Sequence, residues 1–169
     1  MRIVVLLIVL AGLGVGLGVL IQRAGSGSAA DAPATTGGPE TWDAATRDYV
    51  AEQHAIADDM INKQARFADA RGILEPLLKK YPKDVDGWGL LAQALMAQRR
   101  WDDAYHAAAK AAEFSPNDAE PHEAAGFLAL KTERIAEARR HYQRAVDLNP
   151  HNLMSTLALA EIVLVLGPR

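Results

Sequence analysis

The side chains best able to do chemistry in this sequence are scattered rather than gathered. Its five histidines are His54, His106, His122, His141 and His151, and no two stand at an obvious ligand spacing with a supporting acid. A metal or haem site is therefore not expected. The doublets Asp58-Asp59 and Asp102-Asp103 are adjacent. On a helix, neighbours point about 100° apart, so neither doublet makes the facing acid pair that general acid–base catalysis needs. Cysteine is absent, which excludes disulfides, thiolate metal sites and covalent haem attachment through the chain's own thiols. No Ser/His/Asp set, phosphate-cradling glycine loop or nucleophile elbow is present. The expectation is a protein that binds rather than catalyses, with no cofactor.

The elements that would shape a binding surface are written in a repeat. Arg66-Phe67-Ala68-Asp69-Ala70 is followed by Arg100-Trp101-Asp102-Asp103-Ala104 and by Arg134-Ile135-Ala136-Glu137-Ala138. Pro82, Pro116 and Pro150 follow, each with Asp84, Asp118 or Asn152 two places later. Each series steps by 34 residues, a period that marks stacked helical hairpins. Small residues belong where paired helices cross: Ala92 and Gly126 on first helices, Ala104 and Ala138 on second, with Ala111 and Ala145 seven positions on along the same face. Trp88, Leu91, Leu95, Trp101, Leu128, Ile135 and Tyr142 are the expected plugs between hairpins. Each proline ends a second helix, and the Asp or Asn beyond it suits the next N-cap. Asp69, Asp103 and Glu137 fall in first turns, where the helix dipole favours acids.

These blocks resemble tetratricopeptide repeats. The expected fold is an all-α solenoid of about three helical hairpins plus a final helix, behind an N-terminal transmembrane helix. Repeats are expected at about 51–84, 85–118 and 119–152, with the last helix at 153–166, within a repeat domain spanning 41–169. In that family first helices line a concave groove, and the resemblance implies that peptides bind there. Carried over by register, the groove positions are Glu52, Asp59, Asn62 and Lys63, then Asp86, Leu90, Gln93 and Met96. The third repeat supplies Glu120, Glu123, Phe127, Leu130 and Lys131, and the last helix Met154, Leu157 and Glu161. Apolar centres with acidic edges suit an amphipathic segment bearing basic charge. The family's carboxylate clamp needs Lys, Asn and Arg at several of these places. Only Lys63 and Asn62 are comparable, so chaperone C-terminal tails are not the expected ligand.

The front of the chain differs in kind. Ile3 to Ile21 carries no charge, a length that spans a bilayer core when helical. Residues 1–23 read as a transmembrane anchor or, alternatively, as a signal peptide cut at Ser28-Ala29-Ala30. Either delivers the remainder across a membrane, giving the expectation of a single-pass protein of a bacterial inner membrane with its repeats in the periplasm. Gly12, Gly14, Gly16 and Gly18 form small-xxx-small pairs that could bring two anchors together. Residues 24–40, rich in Gly, Ser, Ala, Thr and Pro, form a flexible tether.

The first helix of the first repeat is degenerate, with Asp58 where a small residue should stand, and Trp42 and Tyr49 suggest an extension over the array's open end. The final helix, Leu153 to Leu166, has Glu161 as its only charge. A solenoid's last helix should be polar outside. This one is not, and burial in a partner or a second copy is expected. Outside residues 1–23 the chain holds 16 basic against 21 acidic residues, near −5 in net charge, so no nucleic-acid partner is expected.

Gly87-Trp88-Gly89-Leu90-Leu91-Ala92, entered through Pro82-Lys83-Asp84-Val85-Asp86, is similar to the periplasmic repeat domain of cytochrome c biogenesis factors of the CcmI and NrfG type. That resemblance implies an apocytochrome c client, or contact with the haem-ligation machinery, with an envelope, pilus or secretion scaffold as the alternative.

Overall fold

The computed structural model describes residues 37–166. The expected anchor at 1–23 with its glycine pairs, and residues 24–36 of the expected tether at 24–40, lie outside the described residues, while Pro39 and Glu40 at the tether's end belong to a 3-10 turn. Among the described residues, 37–166, no helix is long and apolar enough to cross a membrane.

Seven helices follow in order: α1 (Ala44–Asn62), α2 (Phe67–Lys80), α3 (Val85–Ala97), α4 (Trp101–Phe114), α5 (Ala119–Lys131), α6 (Ile135–Leu148) and α7 (Leu153–Leu166). They pack in succession as hairpins α1–α2, α3–α4 and α5–α6, with α7 closing against α6. The chain is an all-α helical repeat.

Local chemistry sets the helix ends. Asp84 accepts from the Gly87 amide at 3.1 Å, Asp118 from Glu120 at 3.2 Å and Asn152 from Ser155 at 3.1 Å. These caps satisfy amides that have no partner within the helix. The turn inside each hairpin needs a left-handed residue, supplied by Ala65 (φ 52°), Arg99 (φ 57°) and Glu133 (φ 58°). The amide that follows each one reaches back across the turn: Arg66 to the Met60 carbonyl, Arg100 to Leu95 and Arg134 to Ala129. Glycine is the usual residue in such helix-ending turns, so three L-residues here carry strain.

The larger of two apolar clusters runs through all seven helices. Ala70, Ala104 and Ala138 are wholly inaccessible, as are Leu74 and Leu128. Leu91, Leu95 and Tyr142 are buried, while Trp88, Trp101 and Ile135 are half-buried against them. At Gly126 a Cβ would come within 3.1 Å of three Tyr142 ring atoms. That crossing has no room for a larger side chain.

A short 3-10 turn, Pro39–Thr41, precedes α1, and Trp42 and Tyr49 pack beyond it on the N-terminal hairpin. Trp42, just ahead of α1, packs against Tyr81 with ring centroids 5.2 Å apart and planes tilted by 57°, in a small second cluster with Val50 and Leu77. In α1 it is Ala57, not position 58, that is fully buried, and Asp58 is exposed.

Two substitutions separate these effects. Gly126→Leu should destabilise by about 1–3 kcal/mol through overpacking on Tyr142. Glu133→Gly should stabilise by about 1 kcal/mol by relieving the left-handed turn. Urea unfolding midpoints measure both.

Candidate functional site

The main concavity lies where α1, α3 and α5 face a common space of about 540 Å³. His54, Ala55 and Asp58 on α1 form one wall, Asp86, Gly89, Leu90, Gln93 and Met96 on α3 the centre, and Glu120, Pro121 and Ala124 on α5 the other wall. Ala108 and Ala111 of α4 reach its floor. Methyl side chains there keep the floor low. A smaller hollow of about 380 Å³ continues past Gln93 and Met96 to Asn62, Phe67 and Trp101.

The charge around the main cleft has one sign. Asp58, Asp86, Asp118 and Glu120 border it, and among the described residues no lysine or arginine does. His54, the other titratable group there, bonds through Nε2 to Asp84 Oδ2 at 2.7 Å. Asp84 is 2% exposed, so this pair fastens α1 to the start of α3. The Asp84 carboxylate also explains Gly87, where any Cβ would collide with it. Trp88 donates from Nε1 to the Pro82 carbonyl at 2.8 Å. The Gly87-Trp88 junction is thus a helix-start device behind the cleft, not part of its lining.

The expected groove residues divide into several groups. Asp86, Leu90, Gln93, Met96 and Glu120 line the main cleft, and Asn62 joins Gln93 and Met96 in the smaller hollow. Asn62 also donates to Asp58 at 2.6 Å. Asp59 and Lys63 pair with each other at 2.8 Å, and hydrogen bonds from Lys63 and Gln64 hold the Asp59 carboxyl below its ordinary value. Glu52 is exposed and lines neither hollow. Glu123 accepts from the Asn152 side chain, bracing the cap of α7. Phe127 is 39% exposed with the Lys131 ammonium 5.4 Å from its ring centre, and Leu130 packs half-buried on the core. Met154, Leu157 and Glu161 stand exposed on α7, outside both hollows.

Sequence reasoning missed Ala55, Gly89 and Ala124, although the signal was present. Ala55 stands one repeat before Gly89, and Ala124 one repeat after Leu90. Small residues open a cleft as surely as polar ones mark it. It also missed a histidine pair. His122 on α5 and His141 on α6 approach to 3.3 Å between Nδ1 atoms, 19 positions apart in the chain. Tyr105 meets the His141 ring edge-on at 6.4 Å. Among the described residues no group of three or more His, Cys, Asp or Glu could hold a metal.

Burial lowers the affinity of both rings for protons. For His122 the charge of Arg144 adds to it, against Pro116 and Asp118; for His141 His122 and Arg140 add to it, against Glu137. Tyr142 beneath them is pushed up to about 12, chiefly by burial and further by Glu123.

Two family models, both for the tetratricopeptide repeat, match the chain, one over residues 63–126 and the other over 119–152. Residues 63–152 are tetratricopeptide repeats. No sequence match to a curated protein was found. Solved structures share the fold. One is the Yersinia enterocolitica type III secretion chaperone SycD in complex with a peptide of the translocator YopD, with TM-score 0.62, 18% identity, and 70% of this chain and 95% of that one covered. Another is the first repeat domain of Spaghetti (RPAP3) bound to the HSP90 peptide SRMEEVD, at 0.62, 17%, 70% and 93%. A third is PcrH in complex with the chaperone-binding region of PopD, at 0.55, 15%, 70% and 89%. At these identities the likeness is one of fold.

The lowered histidines give a signed expectation. In the unfolded chain an imidazole titrates near 6.5, and folding depresses both values. The unfolded state therefore takes up protons first, so the pair's contribution is complete above about pH 6.5 and is lost as pH falls through the depressed folded values. The thermal midpoint should drop between about pH 7 and pH 5, and His141→Gln should flatten that slope.

Proposed function

We propose that the chain is a peptide-binding adaptor whose α1/α3/α5 cleft takes an apolar segment flanked by basic residues. The observation that carries this reading is the cleft itself: an alanine-floored space bordered, among the described residues, by four carboxylates and by no lysine or arginine. Leu90 and Met96 supply apolar contact, and Asp86 and Glu120 orient a cationic flank. The bound peptide SRMEEVD in the RPAP3 complex ends in acids, so the charge preference here is the reverse. Catalysis plays no part in this mechanism. Binding energy comes from displacing water from the floor, and opposite charge sets register and on-rate.

For the client we carry forward an apocytochrome c segment, with the domain tethered by residues 1–23 to a bacterial inner membrane and facing the periplasm. Its support is the sequence around Gly87-Trp88 and the uncharged run Ile3–Ile21. Loss of haem-stained c-type cytochromes on deletion is the expected result. Unchanged staining, with crosslinks only to large envelope subunits, would transfer the adaptor to scaffold assembly and leave the cleft chemistry intact.

Gly89 offers a direct test of the cleft. A Cβ there meets nothing within 4 Å, so Gly89→Leu fills the cleft without disturbing the hairpin. Binding of a basic amphipathic peptide, followed by fluorescence anisotropy, should weaken at least about tenfold, or 1.4 kcal/mol, with the unfolding midpoint unchanged or raised. Asp86→Lys combined with Glu120→Lys should switch the preference to an acidic peptide of the same apolar core. Equal affinity of wild type for both peptides would refute the charge assignment.

A further inference from the structure

Helix α7 presents two opposite faces. Ser155 and Ile162 are buried at 0% and 5%, and Ala158 and Leu159 pack half-buried against the core. On the far side Leu153, Leu157 and Leu164 are 74%, 65% and 86% exposed, and Ala160 is exposed between them. Their spacing of four, three and four residues places all four within about 60° of arc. This is a two-heptad seam of the kind that packs one helix on another. Ala160 lies one repeat beyond Gly126 and two beyond Ala92, both buried at their hairpin crossings. In α7 the same small position is uncovered.

We propose that this seam pairs with α7 of a second copy of the chain, antiparallel, about a two-fold axis between positions 158 and 159. The order of side chains is what selects a copy of itself. Reversed across that axis, Leu153 meets Leu164 of the other copy, and Leu157 meets Ala160. Large sits against small at the centre, with leucines closing each end. An interface that repeats one patch on both partners must be self-complementary in this way. The only charge on the helix stays off the seam. Glu161 falls on the flank beside Met154 of the other copy, and the two Glu161 side chains are roughly 7 Å apart along the axis. Fourteen residues bury less than the roughly 1,200 Å² of a standard stable interface, so the dimer is weak, with Kd on the order of micromolar. The proposal does not depend on what the cleft binds.

Because the chain contains no cysteine, introduced thiols report the pairing directly. Full-length Leu153→Cys and Leu164→Cys chains would be oxidised separately and as a mixture in mild non-ionic detergent. Antiparallel pairing predicts a mixed disulfide in several-fold excess over either homodisulfide, because like positions lie roughly 16 Å apart. A further Leu157→Glu change in both chains should abolish it while circular dichroism shows the helices intact. Equal or dominant homodisulfides would indicate parallel pairing or encounter through the N-terminal segment, and would overturn the proposal. So would the absence of crosslinks at about 100 µM, far above the Kd proposed, or crosslinks only to a foreign protein.

Discussion

Everything in this molecule depends on how closely two helices can approach within a hairpin. Ala70, Ala104 and Ala138 are completely inaccessible, and a methyl group at Gly126 would press on the Tyr142 ring at 3.1 Å. The three alanines recur at the repeat interval, so one packing solution is used three times. The larger residues then fill the space between hairpins, with Leu91, Leu95 and Leu128 buried in a single column. A bulky residue at any crossing would push the rods apart and forfeit contacts on both sides. The same preference for small residues gives the cleft its depth, since Ala108 and Ala111 from α4 form its floor.

The polar groups show a division of labour. Asp84 caps α3 and holds His54, Asn152 caps α7 and holds Glu123, and Asp59 answers Lys63. The first two keep one hairpin set against the next, and the third is a local pair at the end of α1. Asp86 and Glu120 enter no ion pair among the described residues and stand at the cleft border. Charge left uncommitted beside an apolar floor is what a peptide-binding surface needs, because it orients a ligand without first breaking an internal bond.

Much of the fold could be read from the sequence because its determinants are local. The prolines after α2, α4 and α6, the Asp or Asn caps and the crossing alanines each act within a few residues, and their common interval reveals the hairpins. The site was less legible. Register arguments located Leu90, Gln93, Met96, Asp86 and Glu120, but they assumed that every first helix faces the groove alike. In α1 Asp58 stands where α3 has Ala92 and borders the cleft with His54, while Asp59 and Lys63 pair beside it. Glu123 looked like a groove acid because nothing in its neighbourhood reveals a partner 29 residues away. The His122–His141 contact is invisible for the same reason. Interactions between helices far apart in the chain are set by geometry that the residue order does not print.

The claim at the centre is that the concave face of α1, α3 and α5 is the working surface. Amide chemical shifts of the labelled protein, titrated with a basic amphipathic peptide, test it most directly. The account predicts that the largest changes fall at Ala55, Gly89, Gln93 and Ala124. Changes confined to the outward faces of α2, α4 and α6, with those amides unmoved at saturation, would contradict it.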